Sequence, residues 1–110
     1  MRMIIATISL TVPSEKRIDV VQTLHSMVEP TRAFPGCIEC RLLGDINNDD
    51  ALVFMQKWNS NEDLKRFIRS SEFIKTLVVL DLALEKPDIS FFKLSSVKGL
   101  EYVEVLRKDL

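Results

Sequence analysis

An α+β domain with the element order β-α-β-β-α-β is what this sequence predicts, and three observations predict it. Four segments alternate apolar and other residues with a period of two, the mark of strands. Between the first and second, and again between the third and fourth, the apolar period lengthens to three or four residues, the mark of amphipathic helices. The second and third strand segments are separated only by a polar stretch rich in Asn and Asp, which reads as a hairpin connection. The chain has 110 residues, one domain against a prior of ~150 residues per domain.

Met3 to Val12 carries Ile4, Ala6, Ile8 and Leu10 on alternate positions and reads as the first strand. Val12-Pro13-Ser14 punctuates it. Ser14 is the expected N-cap of the first helix, with Glu15 placing negative charge in its first turn. Ile18, Val21, Leu24 and Val28 then form its apolar stripe, with Val20, Met27 and Thr31 beside it. Pro30 is expected to kink the last turn, and Phe34-Pro35-Gly36 ends the helix.

Cys37 to Leu43 is the second strand and Leu52 to Trp58 the third, with Leu52, Phe54, Gln56 and Trp58 sharing one face. Gly44 to Asp50 is the expected loop between them. Asn59 or Ser60 caps a helix running to about Arg69. Ser70-Ser71-Glu72 restarts it, and Phe73, Ile74, Leu77, Val78, Leu80, Leu82 and Leu84 supply its apolar residues up to Glu85-Lys86-Pro87. Asp88 to Leu94 is the fourth strand. Gly99 to Leu110 fits either a strand or a helix, and a short helix is the favoured reading. Residues 1–95 thus form the domain, and 96–110 a tail expected to pack on it or on a second copy.

This order is the ferredoxin-like split β-α-β pattern, in which helices cover one face of an antiparallel sheet. The strands carry apolar residues on the other face as well, so a homodimer is the simplest way to cover it.

Composition excludes several classes. Hydrophobic residues at 46% and charged residues at 28% are those of a folded globular chain, not a disordered one. Fifteen Lys and Arg against sixteen Asp and Glu leave a net charge of −1, no field to attract nucleic acid or an anionic membrane. Uncharged apolar runs such as Leu77 to Leu80 are far below the ~20 residues that span a bilayer. A cytoplasmic location is the default expectation.

The run Val28-Glu29-Pro30-Thr31-Arg32-Ala33-Phe34-Pro35-Gly36-Cys37 resembles the helix-to-strand junction of the antibiotic biosynthesis monooxygenase (ABM) family. Phe54-Met55-Gln56-Lys57-Trp58-Asn59-Ser60-Asn61-Glu62-Asp63-Leu64 resembles its third strand and the helix that follows. Ser71-Glu72-Phe73, Glu85-Lys86-Pro87 and the tail positions Gly99, Glu101, Glu104 and Arg107 fit as well. The resemblance implies a dimeric α/β barrel with a cleft between sheet and helices in each subunit. It also implies oxygenation of a quinol or polycyclic phenol by molecular oxygen, without flavin or metal. The rival reading is a non-catalytic dimeric domain that binds a small aromatic or apolar ligand.

The residues set against these readings are few. Trp58 matches the family's aromatic at the strand end and is the candidate to pack a flat ring, with Phe54, Phe73 and Leu77 around it. Thr7, Arg41 and Glu72 are the candidate catalytic polar groups. Quinol-oxidising members carry a His immediately before the aromatic that Phe73 matches, where this chain has Glu72, a base if buried. Haem-degrading relatives carry a His near the position of Leu77 and an Asn in the first strand, where this chain offers Thr7 and Ser9, so haem has no axial ligand. Arg41 is read first as a partner for a carboxylate. His25, the only histidine, falls beside the apolar stripe and reads as solvated.

Other motifs carry nothing. Cys37 and Cys40 have C-x-x-C spacing, but on a strand residues three apart point to opposite faces, so two free thiols are expected. Asp45 to Asp49 opens like a calcium loop, yet Asp50 stands where Gly is needed and no helices flank it. No cofactor and no metal are expected. The cleft decides between enzyme and binding domain: convergent polar groups favour the first, and filling by Phe54, Phe73, Phe91 and Leu77 the second.

Overall fold

The computed structural model describes residues 2–109. Strands β1 (Ile4–Thr11), β2 (Cys37–Asp45), β3 (Asn48–Trp58) and β4 (Asp88–Lys93) form one antiparallel sheet in the order β2-β3-β1-β4. Helices α1 (Arg17–Ala33), α2 (Asn61–Ile68) and α3 (Glu72–Leu80) cover one face, and α4 (Leu100–Arg107) follows β4. The α+β ferredoxin-like fold is the one the strand and helix periods predict.

Register sorts the side chains into two faces. Ile4, Ala6, Ile8 and Leu10 of β1 lie opposite Trp58, Gln56, Phe54 and Leu52 of β3, and all eight are buried under the helices. The other face carries Ile5, Thr7 and Ser9 beside Lys57, Met55 and Val53, with Phe92 and Ser90 on β4 and Arg41 and Leu43 on β2. Among the described residues no helix covers that face.

Four local expectations are corrected. Ser14 caps nothing: Ser14–Lys16 form a 3-10 turn, closed by the Lys16 N–H donating to the Pro13 carbonyl at 2.9 Å, before α1 begins. On α1 the buried residues are Val20, Leu24, Met27, Val28 and Thr31, while Ile18 is 70% exposed. Two apolar stripes overlap on this helix, and packing against Cys40 and Val79 selects one of them. Gly44 to Asp50 is not a loop; the strands run on to a two-residue turn at Ile46-Asn47. The Asp45 carboxylate accepts the Asn47 N–H at 2.8 Å and fixes that turn. The last of the four, α3, ends at Leu80 rather than Ala83 and buries Thr76 and Val79, leaving Ile74, Leu77 and Val78 exposed.

Ser60 caps α2 as expected, its hydroxyl accepting the Asp63 N–H at 3.2 Å. The tail is helical, but α4 buries none of its residues. It lengthens the molecule to 53 Å, with a radius of gyration of 16.1 Å where ~13 Å suits a compact chain of this size.

Candidate functional site

The core under the helices is two clusters, not one. The larger joins Ile8, Leu10, Phe54, α1 and Val79. The smaller joins Ile4, Trp58, Leu64 and Phe67, with Phe34 and Phe73 packed against it. Ala6 belongs to neither, although it is buried, and its neighbour across the sheet is Gln56. Gln56 sits between Phe54 and Trp58 on β3. Thr76 sits between Phe73 and Val79 on α3. Gln56 on β3, with Ala6 beside it, and Thr76 on α3 thus each lie, on their own element, between residues of the two apolar clusters, at positions that form the seam of the core.

The polar groups of this seam are not satisfied. Trp58 donates its indole N–H to the Gln56 side-chain oxygen at 3.0 Å, which sets the orientation of the amide. The amide nitrogen of Gln56 then has no partner, and neither has the Thr76 hydroxyl, although the residues are 3% and 1% exposed. Nearly every buried polar group in a folded protein is hydrogen-bonded, and an orphan costs about 1–3 kcal/mol. Two donors left free in an apolar layer are suited to the oxygen of a ligand.

The layer is open on one side. Phe91 and Ile89 of β4 share the helix-side face with Ala6 and Ile8, yet are 51% and 42% exposed, since among the described residues no helix packs closely on that edge. One row along, a cleft of about 320 Å³ lies between Ile4 and Lys93 of the sheet and Ser60, Asn61 and Glu62 at the start of α2.

The residues singled out in the sequence separate into two places. Trp58 and Phe54 are wholly buried, and Trp58 stacks on Phe67 at 4.8 Å between centroids, with Phe34 edge-on at 6.1 Å. Phe73 is half-buried against Phe67, and Leu77 is half exposed on α3. Glu72, half-buried on α3, is paired with Lys75 at 3.4 Å. Thr7 and Arg41 lie on the opposite face of the sheet, where Arg41 pairs with Glu39 at 2.7 Å. The sheet separates Thr7 and Arg41 from Glu72 and Trp58, so they do not meet within one chain. Phe54, Phe73, Phe91 and Leu77 do not come together to plug the layer. Gln56 and Thr76 were missed as site residues. Gln56 carried a signal, since it interrupts an apolar strand face. Thr76 carried none.

The two cysteines are free. Burial pushes the Cys40 thiol up to about 12, and the neighbouring Cys37 adds to the shift. Burial raises Cys37 as well. Neither is a nucleophile at neutral pH. Among the described residues no group of His, Cys, Asp and Glu is placed to hold a metal, and no helix is long and apolar enough to cross a membrane.

Fold and core together define a ferredoxin-like sandwich with two unpartnered polar side chains, Gln56 and Thr76, buried in its core. The sequence pattern of the antibiotic biosynthesis monooxygenase family matches residues 3–77. The chain belongs to that family. Among curated proteins none matches. Solved structures share the fold. A Deinococcus radiodurans protein named for the same family superposes with TM-score 0.81 at 14% identity, covering 88% of this chain and 97% of its own. One from Nitrosomonas europaea, also so named, gives 0.78 at 13%, covering 88% and 94%. A conserved protein from Methanosarcina mazei Go1 gives 0.78 at 22%, covering 84% and 92%.

Proposed function

We propose that the protein is a homodimeric, cofactor-independent monooxygenase that oxidises a quinol or polycyclic phenol with molecular oxygen at the seam. The observation that carries the reading is the unpartnered Gln56 amide and Thr76 hydroxyl, both buried in an apolar layer of a family member. A flat phenol entering from the uncovered β4 edge would lie against Ala6, where a larger side chain would leave no room, and place its oxygen on those two donors. Donors fixed in a dry layer stabilise a phenolate more than water does. Glu72, one turn before Thr76 on α3, is the carboxylate to take the proton on release from Lys75. The anion passes one electron to oxygen, and the resulting radical and superoxide combine at carbon. With an anthrone, loss of water from that peroxide leaves a quinone carbonyl; one oxygen atom stays in the product and the other leaves as water.

Pairing of two open sheet faces supports the dimer, since each carries Ile5, Val53, Met55 and Phe92. The two free thiols fit a reducing, cytoplasmic setting. A second reading, a domain that binds an aromatic ligand without turning it over, draws support from the ion pairs that already engage Arg41 and Glu72.

Oxygen uptake by metal-stripped protein with hydroquinones and anthrones tests the choice. Uptake above autoxidation is expected, reduced at least about tenfold in Gln56→Leu and Thr76→Val; Thr76→Val keeps or raises stability because it removes an orphaned hydroxyl, whereas Gln56→Leu also strands the buried Trp58 indole N–H at a cost of about 1–3 kcal/mol, so its uptake is compared under conditions where urea titration shows it folded. Ligand binding at the seam without uptake selects the second reading. Wild-type uptake that survives both substitutions refutes the seam as the site.

A further inference from the structure

We propose that the cleft between β1, β4 and the start of α2 is a carboxylate subsite, in which Lys93 and Arg2 hold the acidic end of an aromatic ligand whose hydroxyl lies at the seam. The inference names the substrate class of the reading above and rests on that reading for the hydroxyl end alone.

Strand register brings the two cations together. Phe91 pairs with Ala6 and Lys93 with Ile4, so both β4 side chains stand on the helix-side face, one row apart. Arg2 lies two residues before Ile4 and continues the same alternation. The pairing runs on past the strands. The Leu94 N–H donates to the Met3 carbonyl at 2.9 Å, which ties the chain before β1 to the chain after β4 and keeps Arg2 and Lys93 together at the cleft.

The cleft has the size and the lining of a small-molecule site. Its volume of about 320 Å³ falls within the ~300–1,000 Å³ of such sites. Ile4, 2% exposed, is its apolar floor, and Ser60, Asn61 and Glu62 form the wall opposite the sheet. The Ser60 hydroxyl is spent on Asp63, donating to its carboxylate and accepting its N–H. Among the described residues neither Arg2 nor Lys93 is ion-paired, so the donors of a guanidinium and an ammonium are left for a ligand.

Charge and spacing select the ligand. Among the described residues Glu62 is the one carboxylate lining the cleft, so two cations and one anion leave a single net positive charge. That suits a carboxylate; the second charge of a phosphate monoester would be left facing Glu62. Apolar surface continues one row along at Phe91, which calls for an aromatic body attached to the acid. Ala6, beside Phe91, also faces Gln56 across the sheet. A ligand oxygen on Gln56 is therefore one row from Lys93, about 6.7 Å along the strands. A hydroxyl and a carboxylate at opposite ends of two fused rings span that separation.

Calorimetric titration of the full chain with 6-hydroxy-2-naphthoate and with 2-naphthol tests this. The acid should bind at least about tenfold more tightly than the naphthol. Lys93→Gln with Arg2→Gln should erase that difference, Lys93→Arg should keep it, and Glu62→Gln should widen it about threefold. These three side chains are exposed, so the variants keep the fold. Equal affinities in the wild type, a preference that survives the double substitution, or no binding of either ligand at millimolar concentration overturns the subsite. A preference that needs Lys93 and Arg2, with both ligands weakened alike in Thr76→Val, supports the subsite and the seam together. The same preference with neither ligand affected by Thr76→Val keeps the subsite and refutes the seam. Equal affinities beside anthrone-dependent uptake that falls in Thr76→Val refute the subsite alone.

Discussion

Gly36 joins α1 to β2 and locks the start of α2 to the end of β3. Its φ is +90°, which a residue with a Cβ adopts at a cost of about 1–2 kcal/mol. A Cβ there would also overlap the Asp63 carboxyl group. Asp63 is 9% exposed, accepts the Ser60 hydroxyl at 2.8 Å and pairs with Arg66. Its own N–H is the one Ser60 caps, so pushing it aside releases the start of α2, worth about 1 kcal/mol. The Gly36 carbonyl accepts the Asn59 N–H at 2.8 Å, which couples the loss to the strand end that carries Trp58. Gly36→Ala should therefore destabilise by about 2–3 kcal/mol, lowering the midpoint of thermal unfolding by roughly 10 °C. Urea titration followed by the fluorescence of Trp58 measures it. Asp63→Ala alone should cost about 1 kcal/mol, and the double variant about 1 kcal/mol less than the sum, because the overlap and the cap are lost only once. A Gly36→Ala cost below about 0.5 kcal/mol, or strict additivity with Asp63→Ala, refutes the reasoning.

Three further predictions concern the two thiols and the tryptophan. At pH 8 a disulfide reagent should label Cys37 slowly and Cys40 only after unfolding, since burial holds Cys40 near 12 against an ordinary 9.0; prompt labelling of both counts against the packing. A pKa raised by folding adds stability below the ordinary value and loses it above, so urea midpoints should be level up to about 9 and fall from there toward about 12, by less in Cys40→Ala. Trp58→Phe should cost about 2–3 kcal/mol, because it leaves the Gln56 oxygen unpaired and a gap beside Phe34 and Phe67; adding Gln56→Leu should return part of that, and no recovery would place the loss elsewhere.

Most of the backbone was legible in the amino-acid order. Strand and helix periods are local, so Ile4 to Leu10, Leu52 to Trp58 and the Ser60 cap announce their own conformations. The order of elements then leaves few ways to connect them, and the split β-α-β sheet follows. The family was legible too, because its junction and its third strand are contiguous runs.

What covers each face is not local, and tertiary structure alone decided it. Ile18 looks as good as Val20 and Thr31 until α1 meets Cys40 and Val79. Leu77 looks like core and Thr76 like surface until α3 turns Thr76 inward. Thr7, Arg41 and Glu72 look equally available until the sheet comes between them. Ala6 and Gln56 become neighbours across fifty residues only when β1 pairs with β3, and Thr76 is buried only because α3 packs Val79 into one cluster and Phe73 against the other. Periodicity states that a residue faces one way or another; only the packing of distant segments states what it faces, and that is what turns three unremarkable residues into a candidate site.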